Sequence, residues 1–160
     1  MNDENEATSD LVRVTFHLDP QEWHGSATER LWAEALGEGR YRLRNSPFYA
    51  FDVSAEDVVL AREEGGALEF SAVVARGGHS TYRLILTKGM DERFGAQWRP
   101  LAALGCSYEQ GPGTLLSVDV SPTSDIYDVY EGLEDGARAE VWDFEEGHCG
   151  HALRSSDDED

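Results

Sequence analysis

Cysteine and lysine are scarce in this chain of 160 residues: Cys106 and Cys149 are its only thiols, and Lys88 is the one lysine among 13 basic residues. Two cysteines are too few for a disulfide scaffold, and neither a CxxC nor an HxxxH pair is present to suggest a structural zinc site. No segment approaches the roughly 18 consecutive apolar residues that a spanning helix requires. The opening residues Met1 to Asp10 have neither the basic start nor the apolar stretch of a secretory signal, so a cytoplasmic protein is expected. Positive charge is the other shortage. Asp and Glu number 32 against 13 Lys and Arg, which gives a net charge of -19 and a pI near 4.4. Such a surface repels phosphate backbones and anionic bilayers, which disfavours nucleic-acid and membrane partners and points to a basic protein instead.

What remains is ample for a core, since 40% of the residues are apolar. The charge is uneven. Met1 to Asp10 and Ser155 to Asp160 each carry four acids and no base, and the body without them keeps 24 acids against 13 bases, a charge of -11. Acidic ends that bury no apolar surface cannot offset their ordering entropy, so residues 1–10 and 152–160 are expected to be disordered.

Between Leu11 and about Ala75 the apolar period is mostly two, the spacing that sends alternate side chains to opposite faces of a strand. Val12, Val14, Phe16 and Leu18 form one series. Leu31 to Leu36 and the strand around Tyr41 and Leu43 flank Gly37-Glu38-Gly39, and Asp57 to Arg62 and Leu68 to Val74 flank Glu63-Glu64-Gly65-Gly66, two hairpin signals. About five short strands with glycine turns predict a small barrel or a curled antiparallel sheet over 11–78.

After Gly77-Gly78 strands alternate with helical segments. Tyr82, Leu84 and Leu86 mark a strand, and Met90, Phe94, Trp98, Leu101 and Leu104 follow along one helical stripe, with a kink or fresh start expected at Pro100. Cys106 to Gln110 and Thr114 to Val120 read as a hairpin around Gly111-Pro112-Gly113. Ser124 is the expected N-cap of a second helix, whose Ile126, Val129, Tyr130 and Leu133 face the core and which Gly136 closes. Ala139 to Glu145 is the expected last strand. Strand, helix, strand, strand, helix, strand over 79–151 is the split βαβ, or ferredoxin-like, order, so the fold class is α+β with a β-rich half before a ferredoxin-like half. That fold hosts many unrelated functions.

Several strings along the chain, taken in order, carry a family likeness: Val12-Arg13-Val14-Thr15-Phe16, Leu31-Trp32-Ala33-Glu34, Tyr41-Arg42-Leu43-Arg44-Asn45, Pro47-Phe48-Tyr49-Ala50, Asp57-Val58-Val59, Ser80-Thr81-Tyr82-Arg83 and Trp142-Asp143-Phe144-Glu145-Glu146-Gly147. Together they resemble the bacterial domain-of-unknown-function family DUF4265 from about residue 11 to 151. The resemblance implies boundaries and brings neither catalytic residues nor a ligand.

The most chemically suggestive run is Glu145-Glu146-Gly147-His148-Cys149-Gly150-His151, whose imidazoles, thiol and carboxylates are metal-ligand types. Adjacent His148 and Cys149 do not readily address one ion, so a site there would use one of them with His151, Glu145 and a distant residue. The plainer reading is a polar strand end with a histidine paired to a carboxylate. Cys149, between histidines, is the thiol to label first. His79-Ser80 resembles a base beside a nucleophile but lacks the G-x-S-x-G elbow, and the glycines before it lack the phosphate-loop lysine. No cofactor motif is present. Cys106, at a helix-to-strand junction, is expected to be a buried apolar thiol. Arg40, Arg42 and Arg44 form a basic stripe suited to binding carboxylate or phosphate, with cross-strand pairing to Glu29, Glu34 or Glu38 as the commoner use. Phe48 and Tyr49, in the run Pro47-Phe48-Tyr49-Ala50-Phe51, either pack the junction between the halves or offer a contact surface.

The leading functional expectation is a non-catalytic binding module, immunity-like or regulatory, whose acidic surface engages a basic protein. A metal- or thiol-dependent enzyme using His148, Cys149, His151 and Glu145 or Glu146 is the alternative. A small-ligand sensor between the halves follows from fold analogy alone.

Overall fold

A computed structural model describes residues 11–153, so the expected disorder of 1–10, and of the acidic end beyond Leu153, lies outside the described residues. Five strands come first: β1 (Leu11–His17), β2 (Thr28–Gly37), β3 (Arg40–Leu43), β4 (Val58–Glu64) and β5 (Ala67–Ala75). They pair in sequence order and close into a barrel. Successive hairpins reverse direction, so in a five-strand meander the first and last strands point the same way. Closure must therefore be parallel, and β1 meets β5 in that sense at Val14 with Leu68 and Thr15 with Glu69. Val14, Phe16, Leu31, Ala33, Leu43, Val59 and Ala61 fill the interior, with Phe16 stacked on Phe70.

The remaining elements are β6 (Ser80–Leu86), α1 (Glu92–Ala103), β7 (Cys106–Gln110), β8 (Leu115–Val120), α2 (Ile126–Arg138) and β9 (Trp142–His148). The second sheet has the order β7-β8-β6-β9, with antiparallel neighbours throughout. Tyr82, Leu84 and Leu86 belong to the core that Phe94, Leu101, Val129, Leu133 and Trp142 complete beneath the helices. Thr81, Arg83 and Ile85 alternate with them onto the opposite face. The molecule is thus α+β, mostly antiparallel, with two helices.

Several local expectations are corrected. Helix α1 runs unbroken through Pro100, because Phe94 and Leu101 anchor it to the sheet on both sides of the missing N–H, and Met90 lies outside it, exposed. The N-cap of α2 is Asp125, whose carboxylate accepts from the Tyr127 and Asp128 N–H groups at 2.9 and 3.3 Å. Ser124 instead donates to the Leu104 carbonyl at the end of α1. Gly136 lies within α2 and leaves room for Trp142: a Cβ there would sit 2.1 Å from the indole. Strand β9 starts later than expected and runs on to His148.

Barrel and sheet are joined by residues 44–57, which cross the face of the sheet that the helices leave open. Glu29, buried on β2, accepts hydrogen bonds from three consecutive N–H groups of this loop: Phe48 at 2.6 Å, Tyr49 at 3.0 Å and Ala50 at 2.9 Å. From the other side Arg83, 1% exposed, donates through Nε to the Phe48 carbonyl at 2.9 Å and through Nη2 to the Ala50 carbonyl. The peptide groups of the loop therefore bridge a buried carboxylate to a buried guanidinium. Ser117 adds a bond to the Pro47 carbonyl at 2.7 Å, Ser54 pairs with Thr81 at 2.6 Å, and the Asp52 N–H reaches the Gly147 carbonyl at 2.9 Å. Gly147 is required here, since a Cβ would lie 1.8 Å from Arg83 Nη1.

Candidate functional site

The run that offered metal-ligand residue types in the sequence lies along the end of β9 and the turn after it. Along β9 and the turn after it, His148, Cys149 and His151 diverge, and among the described residues no group of three or more His, Cys, Asp or Glu is placed to hold a metal ion. His148 turns to the junction, where its Nε2 is buried without a hydrogen-bond partner; burial, helped by the charge of Arg76, lowers its pKa. Glu145 stands opposite Arg83 in the ladder, on the sheet face away from the helices, with Oε1 buried and unpartnered. His151 donates from Nε2 to the Ser121 carbonyl at 2.8 Å, which leaves Nδ1 to accept the Ser80 hydroxyl at 2.6 Å. Ser80 Oγ also accepts the Gly150 N–H at 2.9 Å and is fully buried, so this serine–histidine pair ties the turn after β9 to the start of β6. His79, the neighbour of Ser80 in sequence, pairs with Asp119, Nδ1 to Oδ1 2.9 Å.

The other residues singled out in the sequence are placed as follows. Arg42 and Arg44 reach Glu34 at 3.6 and 3.4 Å, and Arg44 also reaches Glu56 at 3.6 Å, so cross-strand pairing absorbs most of the stripe. Arg40 is exposed at the start of β3. Glu29 does not join these pairs, because it holds the loop, and Glu38 sits in the β2–β3 turn at φ 59°. Phe48 packs against Gly111, and Tyr49 lies over His24 with ring centroids 4.7 Å apart, so both aromatics serve the junction. Cys106 is buried, and that burial, reinforced by Asp119, pushes its thiol up to about 12.

Of the cluster, Glu146 and Cys149 reach a sizeable concavity. A groove of ≈ 490 Å³ runs between α2 and the end of β9, lined by Tyr82, Ile126, Tyr127, Tyr130, Glu131, Glu134, Glu146, Cys149 and Leu153. Helix geometry builds one wall. Positions 127 and 131, and 130 and 134, are each one turn apart, so each tyrosine has a carboxylate beside it on the same face. The correction to the sequence reading is Tyr130, which is 42% exposed on this wall while Ile126, Val129 and Leu133 point into the core. Tyr82 forms the floor and donates its hydroxyl to Glu146 at 3.1 Å. Burial first, then Glu146 and Cys149, raise the pKa of that phenol, so it remains a donor. Tyr130 and Phe144 meet edge to face at 5.6 Å, which fixes the upper ring. None of the described lining residues is basic. Tyrosine faces and carboxylates converging on one space attract cations and exclude anions. Tyr127, Tyr130, Glu131 and Glu134 were missed in the sequence, where the two tyrosine–glutamate steps at i, i+4 were the available signal.

A second cleft, ≈ 250 Å³, opens between barrel and sheet and is lined by Arg44, Glu56, His79, Glu109 and Asp119 among others. Burial raises the pKa of both Glu109 and Asp119, while His79 beside Asp119 partly opposes the shift there. This cleft already contains a guanidinium, Arg44, whereas the described residues lining the groove beside α2 include none.

Fold and groove together define a small α+β protein in which a closed barrel is clamped to a helix-covered antiparallel sheet. The chain belongs to the family described as Domain of unknown function (DUF4265), whose model matches residues 29–144. Among solved structures it is similar to a crystal structure of a hypothetical protein from Neisseria gonorrhoeae, with 17% identity, a TM-score of 0.72, and coverage of 89% of this chain and 96% of that one. That likeness establishes the shared fold. No curated protein matches the chain. Among the described residues, no helix is long and apolar enough to cross a membrane.

Proposed function

We propose that this is a cytoplasmic, non-catalytic binding module that recognises a basic protein partner and seats it on the groove between α2 and β9. The observation that carries the reading is the groove itself: three tyrosines and three glutamates face one space, and among the described residues no basic one joins them. The net charge of -19 supports it, because opposite charge speeds encounter and selects against acidic competitors. We further read the β6–β9 unit as a ferredoxin-like split βαβ sheet, an assignment that its strand order supports and that carries no function by itself. Support for an enzyme built on the C-terminal cluster is weaker, because His148, Cys149 and His151 face different surroundings.

Capture from lysate on the immobilised protein, at low and at high salt, tests the reading. A specific protein of net positive charge retained at low salt and released at high salt is the expected result. Retention of no basic protein at low salt overturns it.

A further inference from the structure

Resting on that reading, we infer that the groove is a cage for arginine: the partner inserts cationic side chains between Tyr127, Tyr130 and the sheet, and guanidinium is preferred to ammonium. The space is far too large for a bare ion, and among the described residues no ligand set for a metal surrounds it. An anionic ligand would face Glu131, Glu134 and Glu146, and no described lining residue is a cation to receive it. A purely apolar ligand would leave those carboxylates beside it without a partner. A cation satisfies both parts of the lining, its charge meeting the carboxylates and its stem lying on Ile126 and Leu153.

The preference for arginine follows from shape. Two tyrosine–glutamate steps repeat along α2, displaced by three residues, or roughly 4.5 Å along the axis. At each step a planar guanidinium can lie over the ring while its N–H fork addresses the glutamate, using cation–π attraction and paired hydrogen bonds together. An ammonium is a hydrated point charge that forms no planar stack, so it gains less from the same surroundings. Among the described residues neither Glu131 nor Glu134 forms an ion pair. The two steps suit a partner segment carrying two arginines on one side.

The test is titration calorimetry at low salt with three short glycine peptides that carry two arginines, two lysines or two citrullines; citrulline keeps the planar shape and loses the charge. The arginine peptide is expected to bind about threefold more tightly than the lysine peptide and at least about tenfold more tightly than the citrulline peptide. Tyr130→Ala and the isosteric Glu134→Gln are each expected to weaken the arginine peptide by about three- to tenfold, with unfolding temperatures checked to show that each variant folds. Equal binding of the arginine and citrulline peptides overturns the cage. Salt-sensitive binding of arginine that both variants leave unchanged also overturns the cage while leaving the basic-partner reading standing. Absence of binding by both the arginine and lysine peptides overturns the cage, and the lysate capture then decides the broader reading separately.

Discussion

Replacing Glu29 by Gln tests how barrel and sheet are joined. Oε1 of Glu29 accepts from Tyr49 and Ala50, and Oε2 accepts from Phe48. The amide oxygen of glutamine can take the first position, but its NH2 then faces the Phe48 N–H, donor against donor. One charge-assisted bond, worth about 1.5–3 kcal/mol, is lost outright, and the other two fall to neutral bonds of about half the strength. Removing the carboxylate also withdraws a negative charge that helps keep the buried Arg83 ionised. The expected loss is about 3 kcal/mol, or roughly 6–12 °C in unfolding temperature for a chain of this size. Urea unfolding followed by tryptophan fluorescence, together with calorimetry, measures it. Glu34→Gln is the control on the same strand: its side chain is 43% exposed and pairs only with surface arginines, so its effect is expected to stay within about 0.5 kcal/mol. If Glu29→Gln is as mild as this control, the loop is not held as described.

Gly136→Ala should destabilise by at least about 2 kcal/mol, because the new methyl meets an indole pinned by its Nε1 bond to the Leu133 carbonyl at 2.9 Å. Gly95→Ala, in open space on α1, should instead stabilise by about 0.5–1 kcal/mol; denaturant midpoints of the two variants check both signs. The lowered pKa of His148 means that, as pH falls through the ordinary imidazole value of 6.5, the unfolded chain takes up a proton before the folded one does. Stability should therefore decline with acidification from that point down to the folded pKa, and His148→Asn should flatten this part of the stability–pH profile. In a thiol-labelling time course at pH 8, Cys149 should react well ahead of the buried Cys106, whose thiol is pushed up to about 12; comparable rates would contradict the burial described.

Local pattern made much of the architecture legible. Period-two runs around Val14, Phe16 and Tyr41, glycine turns between them, and helical stripes through Phe94 and Leu133 all report which face each element buries. The failures have physical causes of a different kind. Ser124 and Asp125 are both good caps, and the choice depended on the Leu104 carbonyl, 20 residues away, taking the serine. Pro100 was tolerated because tertiary burial outweighed a missing backbone bond. Gly136 looked like a stop because the letters around it do not show Trp142 packed on its Cα. At the candidate site the nearness of His148, Cys149 and His151 in sequence misled, since neighbours on a strand and turn face different ways. Tyr130 misled for the opposite reason: it sits at the edge of the apolar stripe, where helical period cannot separate a core residue from a groove wall. Glu29 read in the sequence as a partner for the arginine stripe, because the three N–H groups it holds lie about 20 residues further on.

The most direct test of the account is amide chemical-shift mapping of the isotope-labelled protein during titration with the arginine peptide. Perturbations are expected to concentrate on 126–134 of α2, 144–148 of β9 and Cys149, saturating together and disappearing at high salt. Absence of shifts, or shifts centred on the cleft of Glu56, Glu109 and Asp119 or on the barrel, would contradict it.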